Sequence, residues 1–278
     1  MNHQVKVAYL GPRGTFSQAA VLAHFADNCE LHECSSIDEV FRAVEEDIVN
    51  YGVVPVENST EGAVNNTQDC LIDSDVKIVG EVVVPIVQCL LANADASRST
   101  IETIVSHEQS LAQCRHWIQD NFPSVKLSEC PSNAQAAAQA LNDPKVAAIA
   151  GALAAEEYDL QVLQASIQDQ RHNSTRFLVL AKQDTRSSGK DKTSVLIYTE
   201  NKPGALFRIL EPFENLQVSL TKIETRPAKV EAWAYVFFID FEGHIKDEVI
   251  VELFDKLNAC TAEIKILGSY PAFVNGTT

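Results

Sequence analysis

An α/β protein in two parts is what the sequence predicts: a larger part of two strand-and-helix lobes facing across a cleft, then a smaller part whose elements run βαββαβ. Three observations carry this reading. Short apolar strands alternate with amphipathic helices over residues 5 to 158. A late strand at 177 to 181 follows the polar pentapeptide NSTRF and rejoins the first lobe. The stretch DTRSSGKDKT, 184 to 193, carries Gly and a Ser pair with no apolar period, the composition of a linker. The resulting division is residues 1–183 with a second lobe at about 80–160, a linker at 184–193 and a terminal domain at 194–278.

The elements follow in order. Residues 5 to 10 form a buried strand, and after the GPRG turn a helix starts at Ser17 and runs to about 27. Ser36 and Asp38 open a helix over 37 to 50, which leads into the strand 51 to 56, the polar loop PVENSTEG and a helix over 63 to 73. A strand-rich segment, 76 to 92, begins the second lobe. Segments at 101–106, around Trp117, at 125–130, 134–141 and 146–150 repeat the alternation, and 152 to 158 is helical. Beyond the linker come a strand (194–199), a helix (205–215), two strands (219–225 and 232–241), a helix (247–260) and a last strand (262–270). That order is the ferredoxin-like sandwich.

At 278 residues and 46% hydrophobic composition the chain has material for two cores. A formal charge of −16 argues against nucleic acid and anionic membranes as partners. The N-terminal apolar run is too short for a signal peptide and no segment approaches the roughly 20 apolar residues that span a bilayer, so a cytoplasmic protein is expected. Seven scattered Cys without a CxxC pair indicate neither a disulfide framework nor a zinc site.

Four polar motifs lie at strand ends, where open α/β sheets hold ligands. In NSTRF, Thr175 offers a hydroxyl and Arg176 a cation for an anion; taken alone, the pentapeptide favours a turn with Arg176 in solvent. GPRGTFS places Thr15 and Ser17 at a helix start, where backbone N–H groups favour an anion, and helix capping is an equal reading. PVENSTEG presents Glu57, Asn58, Ser59 and Thr60 after a strand, more donors and acceptors than one helix cap needs. SHEQSLAQC sets Ser106 and His107 at the mouth of a helix that carries Gln113; no acidic residue is placed in sequence to orient His107. A G-x-S-x-G elbow and an HExxH pair are absent, which disfavours a serine hydrolase and a zinc hydrolase. In the terminal domain, Pro203 and Gly204 precede a helix and TRP (225–227) ends a strand, together allowing a small carboxylate site.

In this order and spacing, GPRGTFS, PVENSTEG, SHEQSLAQC and NSTRF, followed by PGALF and ETRP, resemble the prephenate dehydratases that carry a C-terminal ACT domain, over nearly the whole chain. The resemblance implies a two-lobed fold like that of periplasmic binding proteins and conversion of prephenate to phenylpyruvate without a cofactor or metal. It implies that Thr175 helps the C4 hydroxyl leave, with Asn58, Ser106 and Gln113 as polar site residues. Arg176 is then a carboxylate partner, and Phe177, Ser17, Thr15, Glu57, Ser59 and His107 line the cleft. It further implies a phenylalanine sensor built from Pro203, Gly204, Ala205 and Leu206 with Glu224, Thr225, Arg226 and Pro227, acting between paired domains of a homodimer or homotetramer. Thr225 stands where the family usually has Ser. Two rivals accompany this reading: arogenate dehydratase, and a non-catalytic binding protein with an ACT sensor.

Overall fold

The computed structural model describes residues 4–26, 28–170, 172–199, 202–227 and 235–273. Two compact units divide the chain, Met1–Thr67 with Val82–Phe177 and Gln68–Glu81 with Leu178–Thr278. Chain order alone groups residues 68–81 with the first part; the contacts group them with the second.

The first sheet contains β1 (Val5–Leu10), β2 (Cys29–Cys34), β3 (Tyr51–Asn58), β5 (Lys77–Pro85) and β11 (Ser174–Ala181) in the order β2-β1-β3-β11-β5, with the short β4 (Gly62–Ala63) on β3. β1 runs parallel to both β2 and β3, and Val7, Ala8, Tyr9, Val53 and Val54 are buried along them. The helices α1 (Phe16–Phe25) and α2 (Ile37–Glu45) make the crossovers. Each starts at a hydroxyl cap: Thr15 Oγ1 accepts from Gln18 N at 3.4 Å, and Ser36 Oγ from Glu39 N at 3.2 Å.

Several boundaries differ from the sequence reading. β2 escapes it because its inner four residues are exposed on an edge strand and show no apolar run. Helix α2 stops at Glu45 rather than near residue 50, ended by a turn in which Asp47 takes φ 57°. β3 extends through Asn58 and β11 begins at Ser174, so Glu57, Asn58, Thr175 and Arg176 are strand residues and not loop residues. The segment read as opening the second lobe is split: β5 belongs to the first sheet, and only its continuation, β6 (Cys89–Ala92), enters the second.

That second sheet has the order β10-β6-β9-β7-β8, with β7 (Thr103–Ser106), β8 (Lys126–Glu129), β9 (Val146–Ala150) and β10 (Gln161–Gln164). Both of its faces are covered. Leu91, Ala148 and Ala150 pack with Ala136, Ala137 and Ala140 of α6 (Asn133–Asn142) and Ala154 of α7 (Ala152–Glu157). Their neighbours Leu90 and Ile149 turn the other way, toward Leu111 of α4 (Glu108–Gln113) and Ile118 of α5 (Arg115–Asn121). The alanine-rich face of α6 lets the helix lie close to the sheet.

In the C-terminal unit β12 (Asp191–Thr199), α8 (Ala205–Asn215), β13 (Leu220–Pro227), β14 (Tyr235–Glu242), α9 (Glu248–Asn258) and β15 (Glu263–Pro271) form an antiparallel sheet of order β13-β14-β12-β15. One face carries the core, Val195, Ile197, Phe237, Ile239 and Phe241 against Ile209, Phe213, Ile250, Leu253 and Leu257. The reading of a strand from residue 232 falls partly on 232–234, outside the described residues. Helix α3 (Asn65–Asp73) ends against β15, where Lys265 Nζ donates to the carbonyls of Leu71, Ile72 and Ser74 at 3.1, 2.8 and 2.6 Å. β15 also passes so close to β5 that a Cβ on Gly268 would lie 2.1 Å from the Ile78 carbonyl oxygen.

β12 begins at Asp191, so the last three residues of the expected linker are strand. Asp191 accepts from Ser187 Oγ at 2.9 Å, Ser188 Oγ at 2.7 Å and Gly189 N at 3.1 Å. Burial pushes its carboxyl up, but the bonds from Ser188, Ser187 and Gly189 outweigh that and hold it below its ordinary value. A lowered folded pKa stabilises above the unfolded value and is lost as pH falls through the folded one. Asp191→Ala is therefore expected to destabilise by about 2 kcal/mol at neutral pH. The difference between the thermal melts of variant and wild type should start to shrink as pH falls below about 4, the unfolded value, and close only below the lowered folded value.

Candidate active site

A cavity of about 570 Å³ lies in the first unit, lined from both sheets. Its walls are Thr15, Phe16 and Ser17 at the start of α1, Pro55 and Asn58 of β3, and Thr175 and Phe177 of β11. Opposite stand Gln88, His107, Ser110, Gln113, Ser132, Asn133 and Gly151. The loop before α1 reaches the second lobe because Gly14 takes φ 80°, and a Cβ there would lie 3.1 Å from Ala154 Cα.

Asn58 and Thr175 form the centre. Asn58 Oδ1 accepts from Thr60 N at 2.9 Å, Thr60 Oγ1 at 2.7 Å and Glu61 N at 3.1 Å. Three donors on the oxygen fix the amide, so Nδ2 is the atom that faces Thr175 Oγ1 at 2.8 Å and donates to it. The Thr175 oxygen thus accepts from Asn58, and its own proton is left to donate elsewhere.

The cavity's ionisable lining residues are Glu61 and His107. His107 caps α4: its Nδ1 accepts from Gln109 N at 3.2 Å, which places the proton of the neutral ring on Nε2. Positive potential comes from helix starts. At the starts of α1 and α6, each ten residues long, the caps Thr15 and Ser132 take Gln18 N and Gln135 N, the N–H groups ahead of these have no intrahelical carbonyl to bond, and both starts line the cavity at Thr15–Ser17 and Ser132–Asn133. An anion with two separated carboxylates suits such walls.

The structure gathers Thr175, Phe177, Asn58, Gln113, His107, Thr15 and Ser17 around this cavity, and leaves four expected site residues outside its walls. Arg176 lies between Thr175 and Phe177, so the alternation of a strand sends it to the opposite face; there Nη1 meets Glu57 Oε1 at 3.2 Å. Glu57 is turned away from the cavity for the same reason, being next to Asn58. Ser59 stitches β3 to β11, its Oγ accepting from Ser174 N at 3.0 Å and its N–H donating to Ser174 O at 2.9 Å. Ser106 is fully buried beneath the wall, 2.6 Å from Ile149 O and 3.0 Å from Asn133 Oδ1. Residues not anticipated are Gln88, Ser110, Ser132, Asn133 and Gly151. The cap sequence before α6 is a legible signal for Ser132 and Asn133; Gln88 has none.

In the C-terminal unit Gly204 takes φ 78° as the N-cap of α8, and Pro203 O accepts from Arg208 Nη1 at 3.1 Å. Ala205 and Leu206 open the helix. Along β13, Glu224 and Arg226 share the half-buried face: Glu224 Oε2 accepts from Gln68 Nε2 at 2.7 Å, and Arg226 Nη2 meets Asp69 Oδ1 at 2.7 Å. Thr225 and Pro227 lie on the exposed face.

Fold and site together define a two-lobed α/β cleft protein with a ferredoxin-like domain at its C-terminal end. A family model described as prephenate dehydratase matches residues 7–185, and one described as ACT domain matches residues 193–259. The chain belongs to the prephenate dehydratase family. It is 48% identical to the bifunctional chorismate mutase/prephenate dehydratase of Pseudomonas aeruginosa, over 99% of this chain and 75% of that one. It is 36% identical to the prephenate dehydratase of Methanocaldococcus jannaschii, over 96% of this chain and 98% of that one. Among solved structures, prephenate dehydratase from Arthrobacter aurescens in complex with L-Phe superposes with a TM-score of 0.89 at 33% identity, covering 96% of this chain and 90% of that one. The first unit therefore has the periplasmic-binding-protein-like architecture of that family. Among the described residues no helix is long and apolar enough to cross a membrane.

Proposed function

We propose that the cavity binds prephenate and converts it to phenylpyruvate, carbon dioxide and water, in the cytoplasm, as a step toward phenylalanine. Breaking the bond between the ring and its carboxylate sends an electron pair into the ring while hydroxide leaves C4. The ring becomes benzenoid, and the charge lost from the carboxylate reappears on the departing oxygen. A donor aimed at that oxygen is what the reaction needs most. The observation that carries the proposal is the Asn58–Thr175 bond, which holds the threonine oxygen as an acceptor and turns its proton outward. A threonine hydroxyl is a weak acid, so it acts through a hydrogen bond that strengthens as charge grows, and the hydroxide becomes water on taking up a proton. The helix starts of α1 and α6 hold the two carboxylates, since Arg176, a carboxylate partner by the resemblance, pairs with Glu57 on the other face of β11.

Purified protein given prephenate and arogenate side by side, with and without phenylalanine, tests this. Phenylpyruvate formed from prephenate, with arogenate the poorer substrate, is the expected result. Phenylalanine formed from arogenate with no phenylpyruvate from prephenate would favour arogenate dehydratase, and turnover of neither would leave the non-catalytic binding protein as the better reading.

The C-terminal unit is the sensor in this proposal. Phenylalanine sets its carboxylate at the start of α8 and, through Pro203–Leu206 and the Glu224–Pro227 segment of paired domains, favours the less active arrangement of a homodimer or homotetramer. A β-branched residue is strained at the φ of 78° that Gly204 adopts. Gly204→Val is expected to weaken phenylalanine inhibition by at least about tenfold while the uninhibited turnover stays unchanged. Inhibition curves on the two proteins check this.

A further inference from the structure

One buried side chain of the cavity wall has a hydrogen-bond pattern that bears on substrate binding. Gln88, 1% exposed, stands at the entry to β6, with its backbone N–H held by Gln168 Oε1 at 3.0 Å. Its Nε2 lies 3.2 Å from Ser110 Oγ and 3.3 Å from Gln113 Oε1. Ser110 gives its own proton to Asn133 Oδ1 at 3.0 Å, so toward Gln88 it is an acceptor, which assigns Nε2 to that side. Both N–H bonds of the Gln88 amide are then used inside the wall. Its Oε1 is buried and has no partner among the described residues. An unpaired buried carbonyl is unfavourable, and an apolar side chain of the same size would avoid it. The amide group is therefore explained by what its nitrogen does, not by packing.

What the nitrogen does is occupy the carbonyl oxygen of Gln113. A carboxamide presents acceptor and donor at opposite corners, so fixing Oε1 against Gln88 turns Nε2 the other way. The Gln113 main chain is anchored as well, its carbonyl accepting from Asp169 N at 2.7 Å. We propose that Gln88 is a positioning residue that turns the Gln113 carboxamide so that its N–H bonds face the cavity and donate to a carboxylate of the substrate. Without this constraint Gln113 presents either end, and its carbonyl end repels an anion. The inference rests on the cavity being the substrate site, and it adds a residue that never needs to touch substrate.

Gln88→Met, which fits the same volume, and Gln88→Glu, which keeps the shape, separate this role from a structural one. Gln88→Met is expected to raise KM for prephenate about tenfold with kcat within about twofold and an unchanged thermal midpoint. Gln88→Glu is expected to be worse than Gln88→Met. An ionised carboxylate accepts from Gln113 Nε2 and turns its carbonyl toward the substrate, so KM should climb further as pH rises. Combining Gln88→Met with Gln113→Ala should raise KM no more than Gln113→Ala alone. A Gln88→Met protein with wild-type KM, a Gln88→Glu protein milder than Gln88→Met, or additive effects would each overturn the assignment. If wild type fails to consume prephenate, the substrate reading falls instead, and that outcome is distinct because it appears before any variant is made.

Discussion

Thr175→Ala is expected to lower kcat for prephenate by about 10²–10³-fold while KM changes little. The split follows from when the hydrogen bond matters. In the ground state the C4 hydroxyl is neutral and is solvated nearly as well by other groups; as the C–O bond breaks, charge appears on oxygen and the threonine donor becomes irreplaceable. Its geometry is prepared before substrate arrives, since Asn58 Nδ2 already occupies a lone pair of Oγ1 at 2.8 Å. Thr175→Ser keeps the hydroxyl and should retain most of the activity; Thr175→Val keeps the shape and should resemble Thr175→Ala. Steady-state kinetics on the three proteins decide the matter, and a Thr175→Ala enzyme as fast as wild type would remove the residue from this role.

The second large effect is expected at Asn58→Asp, the closest replacement in shape. An aspartate still accepts from Thr60 N, Thr60 Oγ1 and Glu61 N, so the loop after β3 should stay in place. Toward Thr175 the sign of the bond reverses: a carboxylate takes the threonine proton in place of offering one. The hydroxyl is then turned away from the leaving oxygen, and a negative charge is added beside a dianion. A fall in kcat of about 10²–10³-fold with a raised KM is expected. Because the lost proton is the same one, the part of the Asn58→Asp effect that runs through Thr175 should vanish in the Thr175→Ala background, so the double variant should lose clearly less kcat than the product of the two single losses. Independent, multiplying losses would show that Asn58 does not act through Thr175.

Much of this site is legible in the sequence, and what is not has physical reasons. Thr175 and Asn58 are legible as candidates because each stands in a polar cluster beside an apolar strand, the place where such sheets hold ligands, while their parts in the chemistry come only from the resemblance. Thr15 and Ser17 were accessible through the signature of a helix start. The resemblance implies Arg176 as a carboxylate partner, yet a residue's chemistry says nothing about the face of the strand it occupies. Once β11 is seen to begin at Ser174, period-two alternation sends Thr175 and Phe177 to one side and Arg176 to the other. Ser106 is a similar case: its hydroxyl serves Ile149 and Asn133 inside the lobe. Gln88 was invisible because a lone glutamine between two apolar stretches carries no pattern; its role exists only through Ser110 and Gln113, 22 and 25 residues away in the chain.

By itself the sequence determined the elements and their class. Strand and helix periods, caps and turns are local properties, and the ordered motifs are enough to place the family. Tertiary structure alone decided which side chains share the cavity, which carboxamide edge faces inward and which charges pair with each other. Those outcomes depend on strand register and on hydrogen-bond partners far apart in sequence. Asn58 and Thr175 stand 117 positions apart, and nothing in the chain between them announces the 2.8 Å bond joining them.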